Sequence, residues 1–382
     1  MIRTFFFLVS VASLFGRVFD TSDWTRSSIP SGSILAFGAG RFVLRLDGTN
    51  ITSINGLDWQ TNLVPAGGII VVKFTGGRFL AGGGHDGGTE PSATYTTFGT
   101  SIDGLNWTFS TNSAQPFAGP VNTFCYGNGP YVARSEANHF FFSTDGTNWV
   151  DHGPQLPSQY GLGKLEFGNG VFVGLDAFSG QPFSSTDGVT WTPHEFTGLK
   201  EIVFGNGAFV AWSSGKSPKA CSLDGANWMP IDYPESFGWV TFGNGRFFAI
   251  THGTTTTRSR LISSADGQVW QELSTHPEEG PVTSKIVAGN GRLIGVQYDS
   301  TDGVNFNYYL GTSPPFTTLR AEPISTGMSL TIFGVPTSTC TLKHAFNIGT
   351  PDKSQSVVIG DAGSTTTSVE GTSPIGLWWV QP

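Results

Sequence analysis

Glu201-Ile202-Val203-Phe204-Gly205-Asn206-Gly207-Ala208-Phe209-Val210-Ala211-Trp212 is two apolar, β-favouring runs joined by Asn-Gly. Asn-Gly in that setting is a strong hairpin signal, because a type I′ turn needs positive φ at both central residues. A few residues on, Ser222-Leu223-Asp224-Gly225-Ala226-Asn227-Trp228 sets an Asp-Gly turn ahead of a Trp. The whole unit therefore reads strand a (Glu201 to Phe204), turn, strand b (Ala208 to Trp212), loop, strand c (Lys219 to Leu223), turn, and a strand d opening at Asn227-Trp228.

Both elements recur. The first returns at Phe167-Gly168-Asn169-Gly170 and Phe242-Gly243-Asn244-Gly245, and in close copies at Tyr126-Gly127-Asn128-Gly129 and Ala288-Gly289-Asn290-Gly291. Looser copies are Phe37-Gly38-Ala39-Gly40 and Phe74-Thr75-Gly76-Gly77. The second, Ser-x-Asp-Gly-x-x-Trp, returns with Asp103 and Trp107, Asp145 and Trp149, Asp187 and Trp191, Asp224 and Trp228, and Asp266 and Trp270. Ser53 to Trp59 carries Asn55 instead of Asp, and Ser300 to Phe306 carries Phe instead of Trp. Each element thus occurs seven times, and successive Trp residues are mostly 37 to 48 apart. Four antiparallel strands every forty residues or so is the signature of a propeller blade. The expected fold is all-β: a seven-bladed β-propeller over residues 17–322. The boxes are expected to be structural, with Ser and Asp bonding the tight turn and Trp packing between blades.

Ring closure has two solutions. Ser22-Asp23-Trp24-Thr25 resembles the start of a strand d and can complete the last blade from the N-terminus. Alternatively the last unit is self-contained, with 300–303 as its b–c turn, Asn305 to Gly311 as strand c and Phe316 to Leu319 as strand d. The short Gly291-to-Ser300 spacing favours the second. From about Pro323 the repeat is lost. Short alternating runs at Ser329–Phe333, Cys340–Phe346, Ser356–Ile359, Thr365–Val369 and Leu377–Val380 predict a small β-sandwich over 323–382.

Composition narrows the function. Charged residues are 13% of the 382, with 20 Lys and Arg and a net charge of −8. No basic cluster is present, which argues against nucleic acid and anionic membrane as partners. One Arg followed by the apolar run Phe5 to Phe15 predicts a signal peptide over 1–16, cut after Ser13 or Gly16. The bland alternative is a buried first strand. Secretion is therefore expected, with no membrane span. Cys125, Cys221 and Cys340 are far apart and in no metal-ligand spacing.

The boxes resemble the Asp-box (BNR) repeats of sialidase-like propellers, in a variant one residue shorter between Asp and Trp. The resemblance covers about 34–320 and is similar to bacterial secreted repeat proteins; the tail resembles the small β-modules that follow such propellers. Sialidases of this kind carry an Arg-Ile-Pro segment in a six-bladed ring. Here Ser28-Ile29-Pro30 lacks the Arg and the repeat count is seven. The resemblance therefore implies a fold and not a reaction.

Alternation of strands places the Asn-Gly and Asp-Gly turns on one face, and the b–c loops and d–a connections on the other. Variable loops on a rigid scaffold are where binding usually lives. The longest predicted loop, Ala81 to Thr97, holds Gly82-Gly83-Gly84-His85-Asp86. It lacks the strand–loop–helix setting of a phosphate loop and any metal-ligand spacing, so no metal or cofactor is expected. Arg45, Arg134, Arg258 and Arg260 follow b strands and can converge on a carboxylate or sulfate. Glu136, Asp151, Asp176, Glu195, Asp232, Glu235 and Asp299 are the acidic candidates; glycoside hydrolysis would need two carboxyls roughly 5–9 Å apart. His139, His152, His194, His252 and His276 are lone loop histidines. Tyr160, Tyr233, Trp239 and Tyr298 offer stacking surfaces, with Trp239 more naturally core. The expected ligand set is His85, Asp86, Arg134, Glu136, His252, Arg258 and Tyr298. The expected function is non-catalytic recognition of a glycan or extracellular protein by a monomeric propeller, against a carbohydrate-active enzyme or a structural surface component.

Overall fold

The computed structural model describes residues 24–381, apart from 31–33, 47–48, 64–67, 87–93, 113–117, 157–158, 214–217, 253–259, 274–284, 300–306, 314–317, 325–326, 334–338, 346–352, 360–363 and 371–376. The signal-peptide expectation lies outside the described residues. Among those described, the regular elements are all β-strands, and the protein is an all-β β-propeller.

Six four-stranded antiparallel sheets are each built from consecutive strands, within 34–63, 69–112, 121–154, 162–193, 201–230 and 236–272. They are called blades one to six here. A further four-stranded sheet is composite. Lys285–Gly289, Arg292–Asp299 and Asn307–Thr312 supply three strands, and Thr25–Pro30 pairs with the last of them. The first strands of the sheets lie side by side in chain order, and Lys285–Gly289 returns to lie beside Ile34–Gly38.

The repeat has physical reasons that reach beyond the hairpin. Asn169 and Gly170 have φ of 50° and 81°, as a type I′ turn requires. The Asn side chain also ties its blade to the next. Asn169 Nδ2 donates to the Gly207 and Leu223 carbonyls, at 2.7 and 2.6 Å. Asn128 and Asn206 repeat the pattern. Asn290 makes the corresponding bonds to Gly40 and Ile54 of blade one. The Gly before each Asn serves packing. A Cβ on Gly168 would lie 2.1 Å from the Phe204 ring of the next blade, and Gly127, Gly205 and Gly289 stand in the same relation to Phe167, Phe242 and Phe37.

The boxes bind their own turns. Ser143 Oγ donates to Asp145 Oδ1 and accepts from Gly146 N; Asp145 Oδ1 also accepts from Thr147 N and Asn148 N. Asp103, Asp187, Asp224 and Asp266 do the same. Asn55 substitutes through its own Oδ1. The indole N–H of Trp107, Trp191, Trp228 and Trp270 donates to the box Gly carbonyl. Each indole packs with side chains of its own and the preceding blade: Trp149, for example, stacks on Phe98 of blade two, centroids 4.8 Å apart.

The backbone N–H groups of Thr190 and Val189 hold the Asp187 carboxyl down at about 2. Asp103 and Asp224 also sit at about 2, burial opposing and turn hydrogen bonds prevailing. An unfolded Asp titrates at about 3.9. The charged boxes therefore add stability that is complete above pH ~4 and is lost as pH falls toward ~2. The urea midpoint is expected to drop over that window. Replacing Asp103, Asp145, Asp187 and Asp224 together by Asn should flatten the drop, since Asn55 shows that the amide holds the turn. Equal slopes in both proteins would refute the assignment.

Two expectations are corrected. The last unit is not self-contained: its outer strand is Thr25–Pro30, and Trp24 is buried between blade six and the composite sheet. The stretch expected to be strand d instead begins Thr318–Ile324, which pairs in continuous register with Gly327–Phe333. That hairpin pairs onward with Ser364–Glu370 and not with the composite sheet. The tail holds two three-stranded sheets, Thr318–Ile324 with Gly327–Phe333 and Ser364–Glu370, and Lys353–Val358 with Thr339–Ala345 and Leu377–Gln381.

Candidate functional site on the loop face

Blades three and four carry the most fully built site on the loop face. Strand b of blade four ends at Asp176, which is buried. Its Oδ1 accepts from Gly161 N at 2.9 Å, and its Oδ2 accepts from Ser179 N and Oγ, both at 2.6 Å. Burial opposes the charged form, but the hydrogen bonds from Ser179 and Gly161 outweigh it and the carboxyl sits below its usual range. The Gly180 N–H returns to the Asp176 carbonyl. Lys200 Nζ donates to the carbonyls of Ala177 and Phe178, each at 2.7 Å. The turn is locked from both sides, and at its tip the Phe178 side chain is 76% exposed. Ordering exposed apolar surface gains nothing in packing, so the fold holds this ring out without stabilisation in return.

Arg134 lies beside it. It falls one residue from the end of strand b of blade three and is only 5% exposed. Its Nε donates to Asn138 Oδ1 at 3.2 Å; Asn138 has a φ of 65° and its Nδ2 donates to the Tyr160 carbonyl. Burial lowers the guanidinium to about 10, with Asp176 and Glu136 opposing. It remains a cation at neutral pH. Gly161 lets these groups approach closely. A Cβ there would lie 3.0 Å from Arg134 Nη2, 3.6 Å from Phe178 Cε2 and 4.0 Å from Asn138 Oδ1. A guanidinium, an amide and an aromatic edge thus gather around one glycine, where any side chain would press on Arg134.

Of the other expected site residues only Glu136 lies near: it is exposed in the turn after Arg134's strand, its N–H bonded to Pro120 O. His252 is exposed at the end of strand b of blade six, beside Gly238. Tyr298 is a strand residue whose backbone pairs in register with Tyr308 in the composite sheet. Arg258 lies outside the described residues. His85 and Asp86 are strand residues opposite Tyr95 and Thr94, not loop residues. The loop expected over Ala81 to Thr97 is corrected: 81–86 and 94–97 are paired strand. A Cβ on Gly83 would strike Gly68 O, and one on Gly82 would meet Phe124 and Val121 of blade three. These glycines admit close strand and blade contacts.

The four arginines were a candidate for convergence, and the described three are each held within a different part of the ring. Arg45 donates to Asn50 Oδ1 in blade one. Arg260 lies between Glu235 and Glu272, at 3.2 and 2.8 Å. Those carboxylates, beside Tyr233, raise the Arg260 pKa further. His139 pairs with Asp151 at 2.9 Å across strands c and d of blade three. Each of these carboxylates is committed to a cation or a neighbouring strand. Among the described residues no three His, Cys, Asp or Glu side chains group as a metal site, and no helix is long and apolar enough to cross a membrane.

Sequence reasoning did not find the ionic contents of the bore. Lys73 of blade two skips blade three and reaches Glu166 Oε1 and the Leu165 carbonyl of blade four, at 2.8 and 2.9 Å. Lys164 approaches Glu201 at 3.5 Å, and Lys285 lies over the Trp239 ring at 4.8 Å. These residues alternate along the first strands, one and three places before the repeat aromatic, which is the signal that marks them.

No family profile and no curated protein match the chain in sequence. Among solved structures it is similar to streptogramin B lyase, with a TM-score of 0.55 and 12% identity over 76% of this chain and 95% of that one. It is similar to YCF48 bound to D1 peptide, with a TM-score of 0.52 and 15% identity over 82% and 100%. It is also similar to the GH74 xyloglucanase of Xanthomonas campestris, with a TM-score of 0.51 and 12% identity over 81% of this chain and 60% of that one. At such identity the likeness shows the propeller fold alone.

Proposed function

We propose that this is a secreted, non-catalytic recognition propeller that binds a glycan or an extracellular protein through its loop face. In this reading the composite sheet is a seventh blade that closes the ring, the boxes are Asp-box structural turns, and the two tail sheets form a C-terminal sandwich. The observation that carries it is the division of labour between faces. The box face is consumed by repeated turn and blade-to-blade hydrogen bonds, while the loop face holds out a locked aromatic beside a buried cation. Aromatic and Arg side chains held rigid are what binding surfaces use. The carboxylates of Asp151, Asp176, Glu235 and Glu272 have hydrogen-bond or ionic partners, and those of Glu136 and Glu195 are exposed.

The test is a glycan array, together with capture of extracellular proteins, using the chain from residue 17. Specific binding should fall with Phe178→Ser on the loop face and survive Ile102→Ser on the box face. Binding that follows Ile102 instead, or turnover of a bound glycan, would overturn the proposal.

A further inference from the structure

We infer that the outer edge of blade two, Thr108–Asn112, pairs with the same edge of a second copy of this chain. The inference goes beyond the recognition reading, uses no residue of the loop face, and departs from the monomer expected from sequence. An outermost strand offers an unpaired row of N–H and C=O groups to any extended backbone, and proteins block such edges with Pro, charge or brevity. Among the described residues, five of the seven four-stranded sheets do so. Their outer strands are Val150–Pro154 with Asp151, Thr192–Pro193, Met229–Pro230, Gln271–Glu272, and Thr25–Pro30 with Arg26. Gln60–Leu63 of blade one and Thr108–Asn112 of blade two hold neither Pro nor charge. The second is the longer, and it pairs on one side only, with Thr94–Ser101.

A separate observation falls on the same blade. The box turn that opens this strand carries an aliphatic side chain after its Ser and after its Gly, Ile102 and Leu105. Blade one does the same with Ile54 and Leu57, whereas in blades three to six at least one of the two places holds Thr, Ala or Gln. Ile102 is 68% exposed, so apolar surface flanks the unguarded edge. Along the strand Thr108, Ser110 and Thr111 are exposed, and Phe109 stacks on Trp107 with centroids 5.9 Å apart.

Charge and symmetry choose the occupant. Thr108–Asn112 carries no charge, so a charged partner gains nothing from it and an identical strand meets no repulsion. A two-fold axis at Ser110 would align two copies antiparallel, with Thr108 opposite Asn112, Phe109 opposite Thr111 and Ser110 opposite itself. An aromatic facing a β-branched residue is a favourable cross-strand pair, and this register makes it twice. A contact in which one patch serves both protomers is the commonest kind in homo-oligomers. An edge of 5 residues is a small interface, so the dimer should come apart on dilution. Each chain carries a net charge of −8, so added salt should screen the remaining repulsion and tighten the pair.

The experiment is sedimentation velocity of the chain from residue 17 over a dilution series. A concentration-dependent dimer is expected. Ser110→Lys and Ser110→Glu each set like charges opposite one another and should weaken it at least about tenfold, tenfold being about 1.4 kcal/mol. Mixing the two variants should restore the dimer, because Lys then faces Glu, and that recovery also shows that both variants fold. Thr192→Lys, on the outer strand of blade four, should leave the dimer unchanged. A chain that stays monomeric at every concentration, a dimer indifferent to Ser110, no recovery on mixing, or weakening by salt would overturn self-pairing. So would a monomer that takes up an extended peptide at this edge. Loop-face binding is independent of each of these outcomes, so the recognition reading stands or falls separately.

Discussion

Trp24→Ala is expected to lower the unfolding free energy by roughly 3–5 kcal/mol, the usual cost of emptying a buried indole site. The indole is buried among Phe248, Ile250, Leu261 and Leu273 of blade six and Ile286, Ala288 and Leu293 of the composite sheet. That is the place each box Trp takes between its own blade and the one before: Trp59 with Ile294, Trp107 with Val43, Trp270 with Val210. Trp24 fills it from the opposite end of the chain. The strand that follows pairs Thr25 with Thr312 and Arg26 with Gly311. A chain that starts at residue 31 loses both the indole and the strand, which leaves Asn307–Thr312 as an unpaired edge. Urea unfolding should show an early transition for that truncated chain, and a synthetic peptide of residues 17–30 should delay it. A Trp24→Ala change below about 1 kcal/mol, or a truncated chain as stable as the parent, would show that the ring is not closed here.

The strands of each blade were legible because Asn-Gly and Asp-Gly impose a local backbone demand that any reader can recognise. The links between blades were not, because they join residues a whole repeat apart. Nothing in Asn169-Gly170 announces that the amide reaches Gly207 and Leu223. Closure failed for the same reason: Thr25 and Thr312 are far apart in sequence, and Thr318–Ile324 looked as much like a fourth strand as like the first of the tail. Gly82-Gly83-Gly84 was misread because glycine marks both loops and tight contacts, and only the neighbours distinguish them. At the candidate site, Arg134 and Asp176 were legible as charges at the ends of b strands. Phe178 was not, since an apolar residue in a turn carries no sign that the fold will hold it in water. The sequence Asp176-x-x-Ser179 was the available clue: an Asp that bonds the Ser three residues on makes a rigid turn, and the residues it encloses are held outward.

Two glycines of one motif should separate packing from backbone strain. Gly168→Ala is expected to cost about 3 kcal/mol, the upper end of the overpacking range. Its Cβ would sit 2.1 to 2.3 Å from three atoms of the Phe204 ring, and that ring is backed by Phe209, with centroids 4.7 Å apart. The ring has nowhere to retreat, so strain spreads between blades four and five. Gly170→Ala adds a Cβ with nothing within 4 Å, but at a φ of 81°. Its cost is conformational alone, about 1–2 kcal/mol. A Phe204→Leu background decides between the two causes. Contacting residues couple by roughly 0.5–3 kcal/mol, so the smaller side chain should relieve much of the Gly168→Ala penalty and none of that at Gly170. Denaturant midpoints of the parent, the three single variants and the two double variants measure both differences. If Phe204→Leu relieved neither or both equally, the Gly before Asn would owe its place to something other than the ring of the next blade. The recurrence of Phe-Gly at 37–38, 167–168, 204–205 and 242–243 would then need a different physical cause.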